Sequence, residues 1–288
     1  MAPMPPSSDH AFMRRALSLA ERGWGRVHPN PLVGAVVVRD GEIVGEGFHG
    51  EYGGPHAEVV ALRAAGERAR GATLYVTLEP CNHFGKTPPC ADAIIASGVA
   101  RVVVAAEDPH PVARGGADRL RAAGIQVEVG VERDAARAQN AAFFHDVERG
   151  TPYVALKYAL SLDGRLSSRR GQPTAVTGEE ARAEVHRLRA GFDAILVGIG
   201  TVLADDPLLT ARGAVVPRVP PVRVVLDSGA RLPLESRLVQ TVDEAPVWVV
   251  CAEDAPAERR AALEARGVRT LAVPRRGRHI PLDVALAR

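Results

Sequence analysis

With 288 residues, 46% of them hydrophobic and 24% charged, the chain has the composition of a soluble globular protein of one large or two ordinary domains. A net charge of +2 is too small to imply a nucleic-acid or membrane-surface partner, and no apolar run reaches the ~18 residues of a membrane span. Residues 1–8 lack the basic-then-apolar order of a signal peptide, and three cysteines do not make a disulfide framework, so a cytoplasmic protein is expected.

The first half alternates helix and strand. Ser8 and Asp9 can cap a helix over 10–22 that Gly23 ends. Strands over 32–38 and 42–47 are joined by Asp40-Gly41, a strong hairpin signal. A helix over 56–65 stops at Gly66, and a strand follows over 72–78. Next come a helix from Pro89 to Ser97 stopped by Gly98, a strand over 101–106, a helix over 117–123 and a short strand over 127–129. This rhythm predicts a layered α/β domain. It restarts near Arg149-Gly150-Thr151-Pro152, which predicts domains over 1–148 and 152–288. The second half reads as a strand over 153–159, a helix over 179–190 and strands over 194–198, 222–226 and 247–251. A helix over 256–265, a strand over 268–273 and a helix from Leu282 complete it. Strands spaced by helices predict a mostly parallel sheet. Residues 211–221, rich in Pro and Arg, read as a loop.

Chemistry concentrates in His56-Ala57-Glu58, Pro80-Cys81 and Pro89-Cys90. A catalytic zinc takes three nitrogen, sulfur or oxygen ligands and keeps a fourth position for water. His56, Cys81 and Cys90 supply three, which leaves Glu58 to move protons. His-x-Glu followed by paired Pro-Cys units is the pattern of zinc nucleobase deaminases, and an amino-pyrimidine or similar ring is the expected substrate. His56 and Glu58 fall in the first turn of one helix, and Cys90 opens another. The partial positive charge of a helix N-terminus there favours thiolate. A structural zinc is the alternative. It requires a fourth ligand, which His83 or His49 could supply, and it leaves Glu58 without a purpose.

Eight residues separate the two cysteines, from Asn82 to Pro89. The run from Thr77-Leu78-Glu79-Pro80-Cys81 through Lys86-Thr87-Pro88-Pro89-Cys90 closely resembles the bifunctional deaminase–reductase family of riboflavin biosynthesis. Similar too are His28-Pro29-Asn30-Pro31-Leu32-Val33-Gly34, Asp108-Pro109-His110-Pro111, Ser161-Leu162-Asp163-Gly164-Arg165 and the stretch from Gly200 to Arg212. The resemblance runs from about residue 9 to the C-terminus. It implies a cytidine-deaminase-like three-layer domain followed by a dihydrofolate-reductase-like α/β domain. It also implies two reactions. The first is zinc-dependent hydrolytic deamination of 2,5-diamino-6-(5-phosphoribosylamino)pyrimidin-4(3H)-one, and the second is NADPH-dependent reduction of the product's ribosyl group to ribityl.

By the same resemblance His56, Cys81 and Cys90 bind zinc, Glu58 shuttles protons, and Asn30, His49 and Lys86 contact the deaminase substrate. Asn30 also reads as a plain turn residue between prolines, and Lys86 as a solvated lysine. Ala159, Thr201, Asp205 and Ser228 match nucleotide contacts. Lys157, Arg189, Leu209 and Arg212 match reductase substrate contacts, although Lys157 also reads as a strand-edge charge. The implied partner is a small phosphorylated pyrimidine, without nucleic acid or membrane, in a possible homodimer.

The chain departs from the family pattern in three places. Pro173 and Ala175 stand where relatives carry Ser and Trp, and His110 stands where Asn is common. The chain also stops at Arg288, before the glycine-rich segment that holds nucleotide phosphates, so weak reductase activity is expected of a truncated domain. A stand-alone deaminase of a free base, nucleoside or transfer RNA is the competing reading. The long gap between the cysteines and the second domain argue against it.

Overall fold

In the computed structural model, residues 8–169, 174–277 and 279–287 are described, and the chain divides into units Met1–Tyr153 and Val154–Arg288. Residues 1–7, Pro173 and Arg288, on which readings above rest, lie outside the described residues.

Unit one contains α1 (Ser8–Ala20), β1 (Gly34–Arg39), β2 (Glu42–Phe48), α2 (Ala57–Ala65), β3 (Thr73–Leu78) and α3 (Cys90–Ser97). These are followed by β4 (Arg101–Ala106), α4 (Gly116–Ala122), β5 (Gln126–Val129), α5 (Arg133–Gln139) and α6 (Ala141–Arg149). The sheet order is β2-β1-β3-β4-β5. β1 pairs antiparallel with β2 and β3, while β3–β4 and β4–β5 are parallel. Asp40 and Gly41 take φ of 52° and 79°, the two left-handed conformations of a type I′ hairpin turn.

Strand side chains alternate between faces, and both faces are buried. Ala35, Val37, Leu74, Val76, Val102 and Val104 pack with residues of α2, α3 and α4. Val36, Val38, Tyr75, Val103 and Ala105 pack with α1, α5 and α6. The result is three layers, helix–sheet–helix. Helices α5 and α6 were not expected from the sequence.

Asp9 corrects one expectation, because its carboxylate does not cap α1. It accepts from the Tyr75 hydroxyl at 2.6 Å and from both terminal nitrogens of Arg101 at 3.0 and 2.9 Å. The Arg101 guanidinium holds the Asp9 pKa below the usual carboxylate range. A lowered folded pKa adds stability that is present above the ordinary carboxylate pKa and lost as pH falls through the folded value. Asp9→Ala is therefore expected to cost about 2 kcal/mol at pH 7. In urea denaturation the gap from wild type should narrow at acid pH; a gap independent of pH counts against the ion pair.

Unit two contains α7 (Glu179–Ala190), β6 (Ala194–Gly198), α8 (Ile199–Asp205), β7 (Val222–Leu226), α9 (Arg237–Gln240) and β8 (Val247–Ala252), then α10 (Ala257–Glu264), β9 (Arg269–Val273) and α11 (Leu282–Leu286). The sheet order is β6-β7-β8-β9, with every pair parallel. Val225, Val249 and Cys251 face one cluster with α8, α9 and α10, while Val224, Val250 and Val273 face another with α11.

The strand expected over 153–159 is corrected. The segment carries no strand assignment, and Leu156 is 83% exposed. Its apolar alternation suits a ladder, but no described strand lies alongside to form one.

Candidate active site

Three elements converge at one end of the first unit. His56 is the N-cap of α2, so Glu58 sits in the first turn. Cys81 lies three residues past the end of β3, and Cys90 opens α3 behind Pro89. The ligand atoms of His56, Cys81 and Cys90 all lie within 4.8 Å of one another. His56 Nδ1 is 3.1 Å from Cys90 Sγ and 3.6 Å from Cys81 Sγ, so Nδ1 is the nitrogen turned to the sulfurs. Nε2 faces the Thr87 hydroxyl at 3.5 Å.

The three groups perturb one another strongly. Hydrogen bonds from Cys90, thiol and backbone N–H, hold the Cys81 pKa down to about 4. The Cys90 thiol is pushed up by that neighbour and by burial. His56 is raised, chiefly by its hydrogen bond with Cys81. Two thiols and an imidazole within one ion's reach fit zinc, and three protein ligands leave a fourth position open. His49 does not supply it, because both its ring nitrogens are engaged. Its Nδ1 lies 3.1 Å from the Pro55 carbonyl and must donate, so Nε2 accepts the Asn30 amide N–H at 3.1 Å. Burial lowers the His49 pKa, in keeping with this neutral ring. His83 lies outside the ligand cluster.

Glu58 is 3% exposed, and burial raises its pKa. Its carboxyl reaches Cys90, which places it against the three ligands. His56, Glu58 and Cys81 line a cavity of about 290 Å³ with Asn30, His49, Tyr52, Lys86 and Phe143. Lys86 Nζ stands 3.8 Å from the Tyr52 ring centroid, a cation–π contact at the cavity wall. Asn30, His49, His56, Glu58, Cys81 and Lys86 thus share one cavity, and Cys90 completes the ligand set.

Sequence reading assigned no role to Glu79, which is buried. Its carboxylate accepts the backbone N–H groups of Asp108, Gly115 and Ala117 at 3.2, 3.0 and 3.0 Å. It fastens the 108–117 loop, which carries His110, onto the strand end that leads to Cys81. A Cβ on Gly116 would stand 1.8 Å from the Pro80 carbonyl oxygen, so this close approach requires glycine. Glu79 lay inside the quoted motif, beside Pro80-Cys81, and that position was its signal.

In the second unit Thr201 lies in the first turn of α8 just beyond β6, and Ser228 follows β7. Gly198 pairs with Leu226 across these parallel strands. Both residues therefore lie beyond the carboxyl ends of neighbouring strands, where open α/β sheets bind ligands. A Cβ on Gly198 or Gly200 would meet nothing within 4 Å, so the backbone there is open. Asp205 ends α8 and is exposed. Lys157 is exposed and Ala159 half-buried, both on the unpaired segment.

Arg189 and Arg212 come together around Thr210. Arg189 donates to the Thr210 carbonyl at 3.2 Å, and the Arg212 N–H reaches His186 Nδ1 at 3.2 Å. Burial lowers the Arg189 pKa, and Arg212 lowers it further, as expected for two cations that share a space. Leu209, buried between them in sequence, takes a left-handed φ of 54°. Such a conformation in a branched residue marks a constrained loop.

Comparison with known proteins agrees with this geometry. The cytidine and deoxycytidylate deaminase zinc-binding region matches residues 6–106, and the RibD C-terminal domain matches residues 152–288. The riboflavin biosynthesis protein RibD of Aquifex aeolicus is 49% identical over 264 residues, which are 91% of this chain and 73% of that protein. RibD of Escherichia coli is 46% identical over 290 residues, 96% of this chain and 77% of the relative. The solved structure of Acinetobacter baumannii RibD superposes with a TM-score of 0.81 at 43% identity, covering 97% of this chain and 76% of that one. The second domain match, together with this coverage, sets aside a stand-alone deaminase. No helix among the described residues is long and apolar enough to cross a membrane. The chain belongs to the RibD family of riboflavin biosynthesis enzymes, with a zinc-binding deaminase region followed by an NADPH-dependent reductase domain.

Proposed function

We propose that residues 1–148 deaminate 2,5-diamino-6-(5-phosphoribosylamino)pyrimidin-4(3H)-one and that residues 152–288 belong to the reductase acting on its product. One observation carries the first half of this reading. Three zinc-type ligands converge beside a buried carboxyl that does not belong to the ligand set.

His56, Cys81 and Cys90 would hold the ion. Zinc, when bound, supplies Lewis acidity that makes an attacking water usable near neutral pH. Glu58 takes a proton from that water on its carboxylate and passes it to the ring and the leaving amine, so water is consumed and ammonia released. The cavity walls exclude bulk water from the carboxyl. The Asn30 amide N–H is held by His49 Nε2, which leaves Asn30 Oδ1 to accept from the pyrimidine's N–H groups. Lys86, at the rim over Tyr52, suits the substrate's phosphate.

In the second unit Arg189 and Arg212 supply paired cations for the phosphate of the reductase substrate, with Leu209 between them and Lys157 as a further contact. Ala159, Thr201, Asp205 and Ser228 would hold NADPH, which supplies the hydride. We place the protein in the cytoplasm, in keeping with three free cysteines. We propose a homodimer through the second unit, whose exposed Leu156 and Leu162 favour association.

The experiment is ammonia release from the phosphoribosylated diaminopyrimidinone, with and without a zinc chelator. Turnover that the chelator stops and added zinc restores is the expected result. Turnover indifferent to chelation, or none with the zinc-loaded chain, defeats the reading.

A further inference from the structure

Asn140 joins α5 to α6 at the N-cap position of α6, and it is 5% exposed. An asparagine there ordinarily turns its side-chain oxygen onto the first turn of its own helix. This one makes no such bond. Its Oδ1 accepts the Leu32 N–H at 2.8 Å, and its Nδ2 donates to the Leu32 carbonyl at 2.9 Å. Both polar side-chain atoms are thus spent on the backbone of one residue 108 positions away. The Asn140 backbone is satisfied as well, donating to Ala136 at 3.2 Å and accepting from Phe144 at 3.0 Å.

Leu32 lies two residues past Asn30. Its side chain packs with Ala20 and Val27. The Asn30 N–H donates to the Val27 carbonyl at 2.9 Å, and the His49 N–H donates to the Val33 carbonyl at 2.9 Å. The strip from Asn30 to Val33 is therefore tied down on every side, and the Asn140 clamp fixes its middle in both position and tilt. If Leu32 shifted, a buried donor and a buried acceptor would lose partners at once, a cost that keeps the strip in one place. Phe143, in the first turn of α6, lines the same cavity.

We infer that Asn140 is a positioning residue of the deaminase site, which acts through Leu32 to set where Asn30 stands. This rests on the deaminase reading above. It extends the working site beyond the matched zinc-binding region, which ends at residue 106, into the α5–α6 pair.

The test measures kcat and KM for ammonia release, zinc content and melting temperature for Asn30→Ala, Asn140→Ala, Asn140→Asp and the Asn30/Asn140 double alanine variant. Aspartate keeps the acceptor for the Leu32 N–H but sets an oxygen against the Leu32 carbonyl. Misplacing a substrate contact by an ångström costs on the order of 10²-fold. We expect each Asn140 variant to lower kcat/KM by about 10- to 100-fold with zinc content unchanged. Adding Asn140→Ala to Asn30→Ala should cost less than about twofold more, because one residue acts through the other. Multiplicative losses, unchanged turnover, or loss of zinc or folding in both Asn140 variants would overturn the inference and leave Asn140 a scaffold residue. If Asn30→Ala turns over normally, Asn30's own role fails instead, and the inference falls with it. A wild-type chain that releases no ammonia defeats the deaminase reading itself.

Discussion

Glu58→Gln is expected to keep its zinc and lose deamination by ~10²–10⁴-fold, the usual contribution of a positioned acid–base group. The glutamine matches the carboxyl in shape and hydrogen-bonds in its place, but it neither takes up nor releases a proton at neutral pH. Glu58 is not one of the three converging ligands, so metal content should not change. Folding should survive too. Glutamine fills the volume of the buried carboxyl and places no charge there. The loss should therefore fall on kcat, with melting temperature and zinc stoichiometry near wild type. Turnover within about tenfold of wild type would take Glu58 out of the mechanism, because no other group in the cavity has then been shown to carry the proton.

Much of this site was legible because its parts lie in short, chemically marked runs. His56 and Glu58 are two residues apart behind Pro55, and Pro89 precedes Cys90, so the local sequence announces both helix starts. Asp40-Gly41 announced the hairpin in the same way, since few residues tolerate two left-handed conformations in succession. The parts that were missed depend on long-range partners. Asn140 draws its meaning from Leu32, and nothing near it in sequence points there. Helices α5 and α6 start behind Glu132, in a left-handed conformation, and behind Asn140, and neither makes a side-chain cap. Glu132 is not a capping residue type, and Asn140, which is one, spends its side chain on Leu32 instead.

Tertiary context also reversed two local readings. Tyr153 to Ala159 has the alternation of a strand, yet a strand exists only where another pairs with it. Asp9 has the chemistry of a cap, but Tyr75 and Arg101 on the facing sheet offer three bonds. Arg223 in β7 is fully buried. Its guanidinium donates to the Leu208, Thr241 and Ala245 carbonyls and to the Thr241 hydroxyl. It thereby anchors the segment that leads into Leu209 and Arg212.

Cys90→Ser should abolish stoichiometric zinc, and with it both turnover and the ion's contribution to stability. Serine nearly preserves volume, which matters at a position that is fully buried at the start of α3. Its hydroxyl ionises far too weakly to stand in for a thiolate, and imidazole plus one thiolate is a poor zinc site. The ion binds the folded unit, in which α2, α3 and the end of β3 bring the ligands together, far better than the unfolded chain. Free zinc at a thousandfold excess over its dissociation constant then adds ~4 kcal/mol to folding. Thermal melts should reflect this directly. Zinc-loaded wild type melts highest in the transition of the first unit, while chelated wild type and Cys90→Ser melt together well below it. The chelator should have no further effect on Cys90→Ser. A Cys90→Ser variant that still binds one zinc per chain and still responds to chelator would remove Cys90 from the ligand set. A wild type whose melting ignores the chelator would show that the convergence of His56, Cys81 and Cys90 holds no metal under those conditions.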